Sequence, residues 1–185
     1  MAITRETAWS LLAEYTTNES LLKHALAVEA AMRYHAARLG EDPEVWGAVG
    51  LVHDFDYERW PTAPDHPTRG MEVLRLRGWP EDLVEAVGSH ADYLGIPRST
   101  PMRKALFAVD ELCGFLLAVA YVRPSRSLAD VGVSSVRKKM KDKAFARAVS
   151  RDDIVRGADE LGLTVDESID HCLRALRGAA TTLGV

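Results

Sequence analysis

Helix start and stop signals punctuate this chain at helical intervals, and no segment sustains the period-two alternation of a half-buried strand. Asn18 can cap a helix whose apolar positions Leu21, Leu22, Ala25, Val28, Ala31 and Met32 follow a 3.6-residue period, and Gly40 ends it. Asp42-Pro43-Glu44 combines a cap, a first-turn proline and a first-turn acid ahead of Val45, Trp46, Val49 and Val52. Pro67 begins a short helix stopped by Gly78, and Pro80-Glu81-Asp82 begins the next. Thr100-Pro101 opens a long helix through Leu106, Val109, Cys113 and Leu117 toward Arg123. Ser150 with Asp153, and Thr164 with Glu167, are capping-box patterns for two further helices. Two stretches break the pattern, His53 to Pro67 and Tyr121 to Val133. An all-α fold with at least six helices follows.

The chain has 185 residues, enough for one domain with a full core, and at 47% hydrophobic and 27% charged it is not a disordered sequence. No repeat, low-complexity run or linker divides it, so a compact single-domain helical bundle over residues 1–185 is expected. The longest apolar stretch, Leu112 to Val122, is shorter than the roughly 20 residues that cross a bilayer. The start Met1-Ala2-Ile3-Thr4-Arg5-Glu6 lacks a basic-then-apolar signal. Cys113 and Cys172 sit in apolar helical patterns and read as reduced core residues. A cytoplasmic protein without a membrane partner is the expectation.

Chemistry concentrates at a few polar residues. His53-Asp54 is an adjacent pair at the end of a helix, where both side chains can turn toward one point. His24 shares a helix face with Leu21 and Val28, and Asp110 lies between Val109 and Leu112 in a strongly apolar helix. A polar group on such a face needs a partner, and a bare carboxylate there is costly. A shared divalent metal would satisfy all four at once; a buried polar network is the alternative.

The order His24, His53-Asp54, Asp110 resembles the H…HD…D signature of the HD superfamily of metal-dependent phosphohydrolases. The separations suit it, 29 residues from His24 to His53 and 56 from Asp54 to Asp110. Leu22-Lys23-His24-Ala25-Leu26-Ala27-Val28 resembles the family's first-histidine helix, Gly50-Leu51-Val52-His53-Asp54-Phe55-Asp56 its "LxHDxG" segment, and Ala108-Val109-Asp110-Glu111-Leu112 its "ADEL" segment. The resemblance covers about residues 18–122, with C-terminal helices over 134–183 expected to pack on that core. Asp56 stands where the HDIG form has glycine, so this chain falls in another subgroup.

The resemblance implies one or two divalent ions (Fe, Mn, Zn, Co or Ni), with Asp54 bridging if there are two. His66 and His90 match by order the histidines that supply a second ion site; they can also line the cleft for substrate or cap helices. Asp54 and Asp56 are the expected catalytic carboxylates, although Asp56 can equally hydrogen-bond a ligand histidine or cap a turn. Glu29 and Glu111 read as solvated or salt-bridged, His35 and His171 as surface or satisfied core histidines, and Trp60 as a candidate cleft wall.

Net charge is −4, which argues against nucleic acid binding by the whole surface. Residues 121–147 nevertheless carry eight cations (Arg123, Arg126, Arg137, Lys138, Lys139, Lys141, Lys143, Arg147) against Asp130 and Asp142. Such runs are usually solvated faces. Alternatively Arg123, Ser125 and Arg126 would bind a substrate phosphate, with Lys138, Lys139 and Lys141 steering an anion toward it. The expected activity is hydrolysis of a small phosphoester, a nucleotide among the candidates, by metal-activated water. A di-iron oxygenase similar to myo-inositol oxygenase, and a noncatalytic nucleotide- or metal-binding module, are the alternatives. The sequence leaves the oligomeric state open.

Overall fold

The computed structural model describes residues 3–185, so Met1 and Ala2 of the N-terminal stretch read above lie outside it. Among the described residues there are ten α-helices, two short 3₁₀ turns and no strand: α1 (Arg5–Tyr15), α2 (Glu19–Leu39), α3 (Pro43–Val52), α4 (Asp65–Leu76), α5 (Glu81–Gly88), α6 (Pro101–Tyr121), α7 (Val133–Met140), α8 (Arg151–Glu160), α9 (Val165–Gly178) and α10 (Ala180–Leu183). The fold is all-helical, as the periodicity requires. No helix among the described residues is long and apolar enough to cross a membrane.

The caps are those the sequence announces. Asn18 Oδ1 accepts the N–H groups of Ser20 and Leu21, and Gly40 closes α2 at φ +74°, a left-handed conformation that favours glycine. The Asp42 carboxylate accepts from Glu44 ahead of α3. The Thr164 hydroxyl and the Glu167 carboxylate satisfy each other's backbone N–H groups. Regular geometry in α4 begins at Pro67, because His66 is held extended (φ −84°, ψ 134°) by the proline after it. Helix α1 was not foreseen: its box pairs Thr4 with Thr7 in place of an acid, and only Ala8, Leu11 and Leu12 are buried.

Two helices form the centre. Every residue of α3 from Trp46 to Val52 is buried, and α6 buries thirteen residues, among them Leu106, Leu112, Phe115 and Leu116. Helix α3 lies between α1 and α2, and α6 packs against α2, α5, α8 and α9. Close approach uses glycine. A Cβ on Gly50 would come within 3.1 Å of the Glu29 backbone in α2, and one on Gly157 in α8 within 2.6 Å of Ala108 Cα in α6. The linker between α1 and α2 clamps the turn after α3. Thr16 Oγ1 donates to the Phe55 carbonyl at 2.9 Å, and the Glu58 carboxylate accepts the N–H groups of Thr17 and Asn18 at 2.7 and 2.9 Å.

Gly157→Ala should destabilise the fold by about 1–3 kcal/mol, because its methyl group meets backbone that cannot move aside. Gly178→Ala, in a helix and with nothing within 4 Å, should instead gain roughly 0.5–1 kcal/mol. Urea unfolding of the two variants is the check, and equal midpoints would contradict this packing.

Candidate metal centre

His24 projects from α2, His53 closes α3, Asp54 follows it, and Asp110 lies midway along α6. One donor atom from each falls within 4.8 Å of all the others. His24 Nε2 is 3.1 Å from Asp110 Oδ1 and 3.2 Å from His53 Nε2; His53 Nε2 is 3.4 Å from Asp110 Oδ1 and 3.5 Å from Asp54 Oδ2. Ligand atoms 2.0–2.2 Å from one ion stand roughly 3.0–3.5 Å apart, so the spacing fits a common cation. The fully buried His53 gives its Nδ1–H to the Gly50 carbonyl at 2.8 Å, which leaves Nε2 facing the group.

The second oxygen of Asp54 serves another set. Asp54 Oδ1 lies 3.3 Å from His66 Nε2 and 3.3 Å from His90 Nε2, and those two nitrogens are 3.3 Å apart. Oδ1 is buried without a hydrogen-bond partner, although two imidazoles converge on it. Three donor atoms aimed at one point, with the carboxylate oxygen among them left unbonded, suit an ion better than a hydrogen-bond network. Both rings are oriented from behind. His90 Nδ1–H donates to the Val87 carbonyl at 2.6 Å and His66 Nδ1–H to Asp56 Oδ1 at 2.8 Å. Asp56 is fully buried, and its Oδ2 accepts the Gly70 N–H at 2.9 Å. A side chain at Gly70 would strike that carboxylate, 2.8 Å away.

The electrostatics follow from this crowding. Burial presses the His66 imidazolium toward the neutral form, but Asp54 and Asp56 outweigh it and carry its pKa up to about 10. His53 and His90 are likewise raised against burial, chiefly by Asp54 and Asp110. Burial would raise the Asp110 and Asp54 carboxyls, yet the neighbouring histidines hold both below the usual carboxylate range. Glu111 moves the other way, to about 7, through burial and then the charge of Asp110.

Both sets open on one cleft of about 530 Å³, whose lining also includes Tyr57, Tyr93, Phe107 and Glu111. No lysine or arginine is among its lining residues. All six residues read as ligands from the sequence are therefore brought together. Asp56 is not among the cleft's lining residues: it sits behind His66, fully buried, with one oxygen on the His66 ring and the other on the Gly70 N–H. Arg123, Ser125 and Arg126 do not line the cleft either. Helix α6 continues unbroken to Tyr121, which carries them on the order of 16 Å along its axis from Asp110. Ser125 Oγ instead accepts the Ser127 N–H at 3.3 Å. Trp60 packs near Tyr15, with ring centroids 6.1 Å apart, and walls no cleft. Glu29 is buried and paired with Arg5 and Arg33, and His35 and His171 face each other with ring centroids 5.6 Å apart. Tyr57 and Tyr93 were missed; each follows a site residue, Asp54 or His90, by three positions, the one available signal.

A family model described as HD domain matches residues 21–120, more than half of the chain. Among curated proteins, Ribonuclease Y of Alkaliphilus metalliredigens (strain QYMF) is 34% identical over 76 residues, which are 39% of this chain and 15% of that protein. The chain thus spans only a small part of that relative. No solved structure matches it.

Two outcomes are expected. An imidazole must be neutral to ligate, so ion binding to the metal-free chain near pH 7.5 should release protons, and affinity should fall with falling pH. The same raised pKa stabilises the metal-free fold fully below about 6.5, and that contribution is lost as pH rises through about 10. Calorimetry in buffers of different ionisation heat reads the proton release; none at all would contradict the protonated cluster. Asp56→Asn should weaken one ion by about 10–100-fold and spare the other, because it disturbs only the partner behind His66. Equal loss at both sites in a metal titration would rule that out.

Proposed function

The chain belongs to the HD-domain family, a superfamily of metal-dependent phosphohydrolases, and from that premise we propose that it hydrolyses a phosphoester with water activated at a two-ion centre. The observation that carries this reading is the Asp54 carboxylate, whose Oδ2 faces His24, His53 and Asp110 while its Oδ1 faces His66 and His90. Divalent ions held there would lower the pKa of bound water toward neutrality and polarise phosphoryl oxygens. The residues of the chain do the rest. His53, His66 and His90 keep their Nε2 lone pairs directed through bonds at Nδ1. Tyr57 and Tyr93, both exposed at the mouth, offer hydroxyls and ring faces to the group attached to phosphorus. Burial and the charges of Asp56 and Asp54 raise the Tyr93 pKa, so its hydroxyl remains a donor.

A cleft of about 530 Å³ accommodates a nucleotide-sized substrate. The relative called a ribonuclease adds phosphodiesters to the classes worth testing. One observation favours a second reading, di-iron oxygen chemistry: with no lysine or arginine in the cleft, charge on a phosphate is offset by the ions alone.

Elemental analysis of anaerobically purified protein, with mononucleotides, cyclic nucleotides and short RNA as substrates, tests the proposal. Asp54→Ala should lose both ions and all turnover. His66→Ala and His90→Ala should each fall from about two ions per chain to about one and lose most hydrolysis, since the paired clamp on attacking and leaving oxygens is gone. Full metal retention in Asp54→Ala would falsify the centre. Oxygen consumption by the iron-loaded chain without phosphoester turnover would favour the second reading.

A further inference from the structure

The basic segment that the cleft does not use has a site of its own. Beyond the end of α6, the chain turns through Val122, Arg123 and Pro124, and α7 packs beside that turn. Together they enclose a cavity of about 390 Å³, whose lining brings Arg123, Lys138 and Lys139 together with the apolar Val119, Val122 and Pro124. It shares no lining residue with the metal cleft.

The cations of this hollow differ from the paired arginines of the surface. Arg5, Arg33, Arg75, Arg77, Arg98 and Arg156 all pair with carboxylates. Arg123, Lys138 and Lys139 form no ion pair among the described residues, although Arg123 and Lys139 are half-buried. One acid, Asp142, shares the lining, and its Oδ1 accepts the N–H groups of Ala144 and Phe145. Lys139 has an aromatic neighbour, its Nζ standing 4.5 Å from the Phe145 ring centre. The C-terminal dipole of α7 favours cations in its last turn, but on any side of the helix. It does not account for two of them sharing one concavity with an arginine from another element. Three unpaired cations in one hollow repel one another, and an anion removes that repulsion. Val119, Val122 and Pro124 add apolar surface to the lining, and Val122 is 56% exposed.

We propose that this cavity is a second anion-binding site, distinct from the metal cleft, for a phosphorylated small molecule. The guanidinium fork of Arg123 and the ammonium groups of Lys138 and Lys139 take the phosphate; Val119, Val122 and Pro124 seat an apolar portion such as a nucleobase. A concave site with apolar surface in its lining suits a compact ligand.

The test is calorimetric titration of the metal-loaded chain with ADP, with pyrophosphate and with an oligouridylate. Lys138→Ala/Lys139→Ala leaves every cleft residue in place, and circular dichroism together with metal content verifies that it is folded. Wild type should bind ADP in one event beyond any at the metal centre, and the double variant should weaken that event at least tenfold. Val122→Asp should weaken ADP more than pyrophosphate. Identical ADP isotherms for wild type and double variant overturn the site. Tight, Lys138- and Lys139-dependent binding of the oligouridylate without that of ADP also overturns it, in favour of a nucleic acid surface. Neither result depends on whether the metal cleft hydrolyses phosphoesters.

Discussion

The arrangement depends on one carboxylate. Asp54 stands with four imidazoles and a second carboxylate around it, and each of its oxygens faces its own set of donors. Like-charged carboxylates this close to histidines cannot remain in the interior without positive charge among them. In the metal-free chain the proton on His66 supplies it; in the loaded chain divalent ions would. The elements that converge here, α2, the end of α3, the start of α4, the end of α5 and the middle of α6, are otherwise joined by apolar packing. The carboxylate fixes which faces of those helices must meet.

Outside the cluster, orientation comes from backbone. The Gly50 and Val87 carbonyls fix His53 and His90 from within their own helical turns, so those rings need no distant partner. His66 differs. It precedes a proline, lies outside helical geometry, and relies on Asp56 ten residues earlier. Gly70 then lets α4 approach that carboxylate and bond it. The glycine of the HDIG form is thus replaced here by a buried acid that steadies the second ligand set.

Much of this was legible from residues in order. Asn18, Asp42 and Thr100 cap helices because their side chains bond locally; His24 and Asp110 stood out as polar groups on apolar faces, and His66 and His90 only through their order in the family resemblance. What could not be read is distance. Arg123 follows Asp110 by thirteen residues, and only an uninterrupted α6 shows that those residues carry it away from the cleft. Asp56 read as readily as catalytic or supporting, since both roles place a carboxylate two positions past Asp54. The meeting of Arg123 and Lys138 in one cavity is a tertiary fact with no local trace. Helix α1 escaped notice because a Thr–Thr box and three small buried contacts resemble an irregular terminus.

The clamp of Thr16, Thr17 and Asn18 on the turn after α3 gives the two halves of the centre unequal rigidity. It binds the peptide beyond Asp54 to the very start of the helix that bears His24, so residues 16 to 58 form a closed ring of backbone and hydrogen bonds. In the second half Asp56 ties only His66 and Gly70 of α4; His90 follows α5, and both helices are short, with N-termini that lack side-chain caps. When metal leaves, fraying should therefore begin around α4 and α5 while the first half keeps its outline, and reloading becomes an ordered process. An ion taken up between His24, His53 and Asp110 meets a preformed cradle, and the ion beyond it completes its own.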